Sequence, residues 1–296
     1  MRDTVLVIGS TCVDVLIRVE HLPRREDNLH PAGQRFMVGG CAYNVAQVLA
    51  QGRAELTYVT PVGMQGVFGP FLLPMLRALP WARPIALEDK ENGCCYCLIE
   101  PDGERTFLSI HGAEYTFDPA WMEGLEQKHF DWCYVCGLDV EEPTGEALVD
   151  WLEAAPIGRL FYAPGPRIRL MPPERTQRLL ALRPILHLNR AEALTLSGAE
   201  TLEDAADFLY AETAQPVIIT LGAEGAAVRD GEGLHLVPGC PVSHVVDTVG
   251  AGDAHAGALL LGLSRGLPLE KATALANQAA ARAVMVEGAS VKLEGI

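Results

Sequence analysis

Short runs of apolar residues recur along the chain, separated by stretches in which apolar positions return every three or four residues. The runs at 4–9, 56–60, 132–136, 160–162, 185–187 and Val217–Thr220 are continuously hydrophobic, which predicts strands buried on both faces. Helical patterns lie between many of them, among them 145–153, 174–182 and Leu202–Thr213. This alternation predicts an α/β fold, a mostly parallel sheet covered by helices on both sides, whose ligands bind beyond the carboxyl ends of the strands. The last third predicts two Ala-rich helices, Ala251–Ser264 and 269–287. Pro268 sits in the first turn of the second, where its missing N–H costs nothing.

Two stretches break the rhythm. Residues 92–111 place Pro101-Asp102-Gly103 between two extended runs, 94–100 and 104–110, a hairpin signal with its turn chemistry supplied. Residues 16–38 are also extended, polar and without helical periodicity. Segments of about 12–38 and 92–112 are therefore expected to form a small β-sheet lid over a ligand cleft, inserted into a single domain that spans 1–296. No long repeat or low-complexity linker interrupts that domain.

The formal charge of −15 repels polyphosphate backbones, so no nucleic-acid partner is expected. A single nucleotide is still compatible with that charge, because local backbone N–H groups and a metal override the global field. The opening apolar stretch is broken by Asp14 and lacks a cleavage pattern, and no apolar stretch is long enough to span a bilayer. A cytoplasmic chain with no membrane role is expected. The eight cysteines are then reduced thiols. Cys133-x-x-Cys136 would be half a zinc site on another backbone, but on a strand positions i and i+3 face opposite ways.

Two glycine-rich segments carry candidate chemistry. In the first, an apolar run at 242–246 reads as a strand entering Asp247-Thr-Val-Gly-Ala-Gly-Asp253, which opens a helix. Small residues there leave first-turn N–H groups free to surround an anion, and the helix dipole favours negative charge. Asp253 inside such a site is electrostatically awkward unless it acts as a base. A tight turn with an N-cap Asp is the structural alternative. Dinucleotide spacing (G-x-G-x-x-G) and a Gly-Lys pair are both missing here, which argues against a nicotinamide enzyme and a Walker loop. In the second segment, Gly39-Gly40 opens a helix with Asn44 one turn in, an amide able to donate to and accept from hydroxyls.

Together, Gly39-Gly40-x-x-x-Asn44 and Asp247-Thr-x-Gly-Ala-Gly-Asp253 resemble, in order and separation, the two signatures of the ribokinase (PfkB) family of carbohydrate and nucleoside kinases. Three further segments resemble family elements: Gly9-Ser-x-x-x-Asp14, Asn189-Arg-Ala-Glu192 and Thr220-Leu-Gly-Ala-Glu-Gly225. The resemblance covers nearly the whole chain and implies a ribokinase-like three-layer core. It implies an ATP-dependent kinase that phosphorylates a sugar or nucleoside hydroxyl, with Asp253 as general base. Gly250, Ala251 and Gly252 would stabilise the moving phosphoryl group, and Asp14, Gly40 and Asn44 would hold the acceptor. Asn189, Thr220, Gly222, Gly225 and Asn277 would bind the nucleotide. Glu192, with Asn189, would act on Mg²⁺ through water. Backbone around Asp247 and Val249, with a loop at 288–290, implies a possible potassium site.

Departures bear on the substrate. Val249 replaces a common Thr, His255 a common aromatic, and Cys41 and Cys12 stand where ribokinases carry Lys and Asn. Ala163 stands near a frequent acid, and Arg167 reads equally as a phosphate contact or a surface residue. Phe36, Tyr96 and Phe107 are candidates to stack on an acceptor, and Arg35 and Arg105 to grip a sugar phosphate. A phosphofructokinase-like kinase and a non-catalytic ligand-binding relative stay open as alternatives. Apolar lid residues Val15, Ile17, Leu98 and Leu108 are expected to bury against a second copy, giving a homodimer.

Overall fold

The computed structural model describes residues 3–125 and 128–288. In chain order the first strands and helices are β1 (Thr4–Ile8), β2 (Cys12–Arg18), β3 (Gln34–Gly39), α1 (Cys41–Gln51), β4 (Glu55–Gln65), α2 (Phe68–Arg77) and β5 (Ala82–Glu91). Then come β6 (Cys94–Ile99), β7 (Arg105–Ile110), β8 (Phe130–Cys136), α3 (Gly137–Glu141), α4 (Gly145–Ala154) and β9 (Ile157–Ala163). The last part holds α5 (Pro173–Ala181), β10 (Ile185–Asn189), α6 (Arg190–Ser197), α7 (Leu202–Thr213) and β11 (Val217–Thr220). It closes with β12 (Gly225–Asp230), β13 (Gly233–Pro238), α8 (Ala251–Ser264) and α9 (Leu269–Ala283).

Nine strands form one sheet in the order β13-β12-β11-β10-β9-β8-β1-β4-β5. Strands β8, β9, β10 and β11 and β1, β4 and β5 run parallel, and an antiparallel pair, β12 and β13, finishes one edge. Alternate residues of a strand feed opposite layers. Val5, Val7, Trp132 and Tyr134 pack with α1, α2, α8 and α9, while Leu6, Ile8, Cys133 and Val135 pack with α4, α5 and α7. The same alternation sends Cys133 and Cys136 into different layers, as a strand requires, and all eight cysteines are free thiols.

The predicted hairpin is β6 and β7, and with β2 and β3 it forms a separate sheet in the order β3-β2-β6-β7. Asn92 holds the junction of this sheet with the core: its side chain accepts from Gly63 N–H (3.1 Å) and donates to Thr11 O (3.2 Å).

Three expectations are corrected here. Residues 242–246 are not a strand: Val245 is exposed, and the N–H groups of Val246 and Asp247 both donate to Val284 O at the end of α9. The run is apolar because Val242 and Val245 wall a cavity, a demand that periodicity cannot tell from a buried strand. Helix α9 stops at Ala283, four residues short of the predicted end, because the chain there turns to receive those same donors. Val15 is buried in the chain's own core, with Phe36 edge-on to Phe68 and Phe71 of α2 (6.0 and 6.1 Å). Toward the edges of that face Phe36, Leu108 and Ile110 keep exposed surface.

Candidate active site

Helix α8 begins at a backbone reversal. Gly250, its N-cap, has φ 75°, a left-handed conformation that favours glycine. A Cβ on Gly252 would meet nothing within 4 Å, so the first turn of α8 faces open space. Ala251 N–H makes only a long bond, 3.3 Å, back to Thr248 O, and Gly252 N–H has no partner within its helix, as helix geometry dictates. Donors and dipole at this end are available to an anion.

One turn into α8, Asp253 Oδ2 accepts a 2.7 Å bond from Asn44 Nδ2 on α1. Burial raises the Asp253 carboxyl to about 6, while bonds from Asn44 and Cys41 pull it down. Asp14, on β2 of the small sheet, is likewise pushed up to about 6, by burial first and then by the negative charge of Asp253. The glycines that open α1 make room for Asp14 and for the backbone that leads to it. A Cβ on Gly39 would lie 2.2 Å from Asp14 Oδ2, and one on Gly40, whose φ is 105°, would lie 2.6 Å from Ser10 O. The structure thus brings Asp14, Gly40, Asn44 and Asp253 together under the small sheet, although the four are spread over some 240 positions of sequence (14 to 253).

On the other side of the α8 N-terminus lies a cavity of about 470 Å³. Thr220, Gly222, Gly225, Gly252, His255 and Asn277 are among its lining residues, so four of the five expected nucleotide-site residues share it with the anion site. The fifth, Asn189, stands opposite Thr220 in the β10–β11 register. Gly225, at φ 105°, lets the turn pass against Val237 O, which a Cβ would approach to 2.2 Å.

Asn189 and Glu192 close a capping box at the start of α6: Glu192 N–H donates to Asn189 Oδ1 (2.8 Å) and Asn189 N–H to Glu192 Oε2 (2.9 Å). Among the described residues no basic side chain pairs with Glu192, and burial raises its carboxyl. Both oxygens keep a free lone pair, which fits a water-mediated contact with Mg²⁺, a cation that retains much of its hydration shell.

Asn277 is placed differently from its expected role. Its Nδ2 donates to Val237 O (3.1 Å) and Pro238 O (3.0 Å), so both donors serve backbone. Its Oδ1 must then accept from His255 Nε2 (3.1 Å), which leaves His255 Nδ1 to accept from His187 Nε2 (2.9 Å). Asn277 walls the cavity with every amide hydrogen already committed. Burial lowers both imidazoles, His255 to about 4, and keeps the relay neutral. His255, standing where an aromatic is common, is buried in α8, and its pairing with His187 has no local signal in the sequence.

Arginines expected at phosphate are paired elsewhere. Arg167 makes a two-pronged pair with Glu141 (2.6 and 2.7 Å), Arg35 lies 3.7 Å from Glu287, and Arg105 lies 2.8 Å from Asp247. Of the three aromatic candidates, the pleat turns Phe36 and Tyr96 away from Asp14, and Phe107 stands on its side of the small sheet.

A three-layer core with a separate small sheet and a carboxylate beside a helix N-terminus make a ribokinase-like fold. The chain belongs to the pfkB family of carbohydrate kinases, whose model matches residues 2–295. It is similar to the uncharacterized sugar kinase YegV of Escherichia coli, 35% identical over 94% of this chain and 88% of that one. A ribokinase of Schizosaccharomyces pombe is 26% identical, with 99% of this chain and 95% of that one covered. Among solved structures, the Thermotoga maritima ribokinase matches with a TM-score of 0.83 at 20% identity, covering 99% of this chain and 97% of that one. Aminoimidazole riboside kinase from Salmonella enterica, solved with aminoimidazole riboside and an ATP analogue, matches at 0.76 and 26% identity, with 97% and 95% covered. The chain is an ATP-dependent kinase acting on a hydroxyl of a sugar or nucleoside.

Proposed function

We propose that Asp253 is the general base of this transfer, in one kinase domain whose small sheet is the lid. The observation that carries the reading is the position of Asp253, held by Asn44 one turn inside the helix that offers its N-terminus to an anion. Asp14, Gly40 and Asn44 hold the acceptor. Asp253 takes its hydroxyl proton as the oxygen attacks the γ-phosphorus of ATP and ADP leaves. Charge gathering on the transferred phosphoryl group is met by Gly250 and Gly252 N–H and by the α8 dipole, with Ala251 N–H exchanging its long turn bond for the phosphoryl oxygen. Thr220, Gly222 and Gly225 bound the nucleotide, and Asn277 shapes its wall. Glu192 and Asn189 would hold Mg²⁺ through its waters, and the ion would shield charge on the β- and γ-phosphates. The small sheet over Asp14 excludes water that would compete for the phosphoryl group.

The backbone expected to hold potassium runs into residues 289–290, which lie outside the described residues; beside it, the Asp247 carboxylate already accepts from Val249 N–H, Gly288 N–H and Arg105. No step is assigned to the ion. No helix among the described residues is long and apolar enough to cross a membrane, and the charge of −15 disfavours nucleic acid; both accord with a cytoplasmic enzyme. The exposed Leu108 and Ile110 support pairing of two copies through the small sheet, which light scattering at micromolar concentration checks: a clean monomer removes the dimer and leaves the kinase.

The test of the base is Asp253→Asn. The variant should fold and bind Mg·ADP normally while turnover falls by roughly 10²–10⁴. Turnover near that of the wild type would overturn the assignment.

A further inference from the structure

Arg105 stands where the two parts of the enzyme meet. It belongs to β7, on the side of the small sheet that carries Asp14, and its Nη2 lies 2.8 Å from Asp247 Oδ2 with the side chains 11% and 0% exposed. Asp247 is the root of the loop that leads to Gly250 and the phosphoryl cradle. Its carboxylate is engaged from three directions: Oδ1 accepts from Val249 N–H (2.9 Å), and Oδ2 accepts from Gly288 N–H (2.6 Å) and from Arg105. The surroundings are acidic. Asp14 feels Asp253 and Asp247 as repulsive neighbours and Arg105 as an attractive one. No other basic side chain is paired with Asp14, Asp247 or Asp253 among the described residues.

A fully buried carboxylate without a counter-charge is strongly unfavourable, so this loop needs a cation. A guanidinium in contact with Asp247 also repels a second cation brought to the same carboxylate, and low polarity strengthens that repulsion. We propose that Arg105 is a positioning residue, the built-in cation of the phosphoryl cradle, occupying at Asp247 the role that the family resemblance gives to a monovalent metal ion. The enzyme is then indifferent to potassium. Because Arg105 stands on the small sheet, that sheet contributes the counter-charge at the root of the cradle. This inference rests on the kinase reading, with which it shares the cradle.

The experiment is calorimetric titration of the full-length protein with Mg·ADP, in potassium chloride and in tetramethylammonium chloride at equal ionic strength. Wild type should bind with affinities within about twofold of each other in the two salts. Arg105→Ala should bind about tenfold more weakly in tetramethylammonium, the usual scale for one charged hydrogen bond, and recover in potassium as that ion reaches the freed carboxylate. Arg105→Lys should keep the indifference of the wild type. Wild-type binding more than about fivefold tighter in potassium would overturn the proposal, as would an Arg105→Ala protein matching wild type in both salts. The wild-type comparison and Arg105→Lys decide the matter even where Arg105→Ala does not fold. Absence of Mg·ADP binding by wild type in either salt would instead count against the kinase reading itself.

Discussion

On one side of the α8 N-terminus lies the cavity we assign to the nucleotide, walled largely by backbone, glycine and small apolar side chains; among the described residues its ionisable lining groups are a half-buried Cys240 and a neutral His255. On the other side lies the cleft we assign to the acceptor, where Asp14 and Asp253 face each other and Arg105, paired with Asp247, attracts Asp14. A nucleotide brings its own charge, and a cradle of N–H groups and a helix dipole can meet it without side-chain ions. A neutral hydroxyl needs a base beside it and groups to orient it. That side therefore concentrates charge, and burial raises Asp14 and Asp253 to about 6.

This contrast can be broken in three places. The largest effect is expected from pH. In the proposed roles Asp253 must be ionised to accept a proton and Asp14 to hold the hydroxyl, and both carboxyls are raised to about 6. Between pH 7 and 5 kcat/KM for the acceptor should fall by at least about tenfold, while Mg·ADP affinity changes little. The loss is not one of folding. A carboxyl whose folded pKa lies above its unfolded value takes up protons more readily when folded, so these two add stability as pH falls from about 6 to about 4. A pH–rate profile beside thermal melts at the same pH values separates the two effects.

The next effect is steric. Gly39→Ala would place a methyl 2.2 Å from Asp14 Oδ2 and displace that carboxylate. The acceptor KM should rise about tenfold or more with nucleotide affinity unchanged, because small misplacements of a gripping group are costly. Steady-state kinetics with each substrate varied in turn checks it. The smallest effect lies in the cavity wall. His255→Phe leaves His187 Nε2 without its acceptor and Asn277 Oδ1 without its donor, a cost of about 1–3 kcal/mol in stability. A melt should show that loss, with a nucleotide KM raised only a few-fold and an acceptor KM unmoved.

How much of this was legible in the sequence follows the same divide. The cradle is local: Gly250, Gly252 and Asp253 lie within one turn, so their spacing offered an anion site beside the alternative of a tight turn, and the family resemblance favoured the first. The layered core was legible because parallel strands buried on both faces read as unbroken apolar runs. Residues 242–246 misled for that reason, their valines serving a cavity wall and an exposed loop. What joins distant elements had no local signature. Arg105 looked like a phosphate ligand and is spent on Asp247, 142 positions away (247 − 105). Asn277 was expected among the nucleotide-binding residues, and its amide is consumed by the β13 carbonyls and His255. Val15 looked like an interface residue because alternation tells which face a side chain takes, and α2 turned out to cover that face.

The most direct test of the account is a ³¹P NMR record of the enzyme with Mg·ATP and, in turn, pentoses, hexoses, nucleosides and sugar phosphates. The account predicts that at least one sugar or nucleoside yields ADP and a new phosphomonoester signal in equal amounts, and that Asp253→Asn abolishes both. Consumption of ATP to inorganic phosphate alone, or an equal phosphomonoester signal from the Asp253→Asn protein, would contradict it.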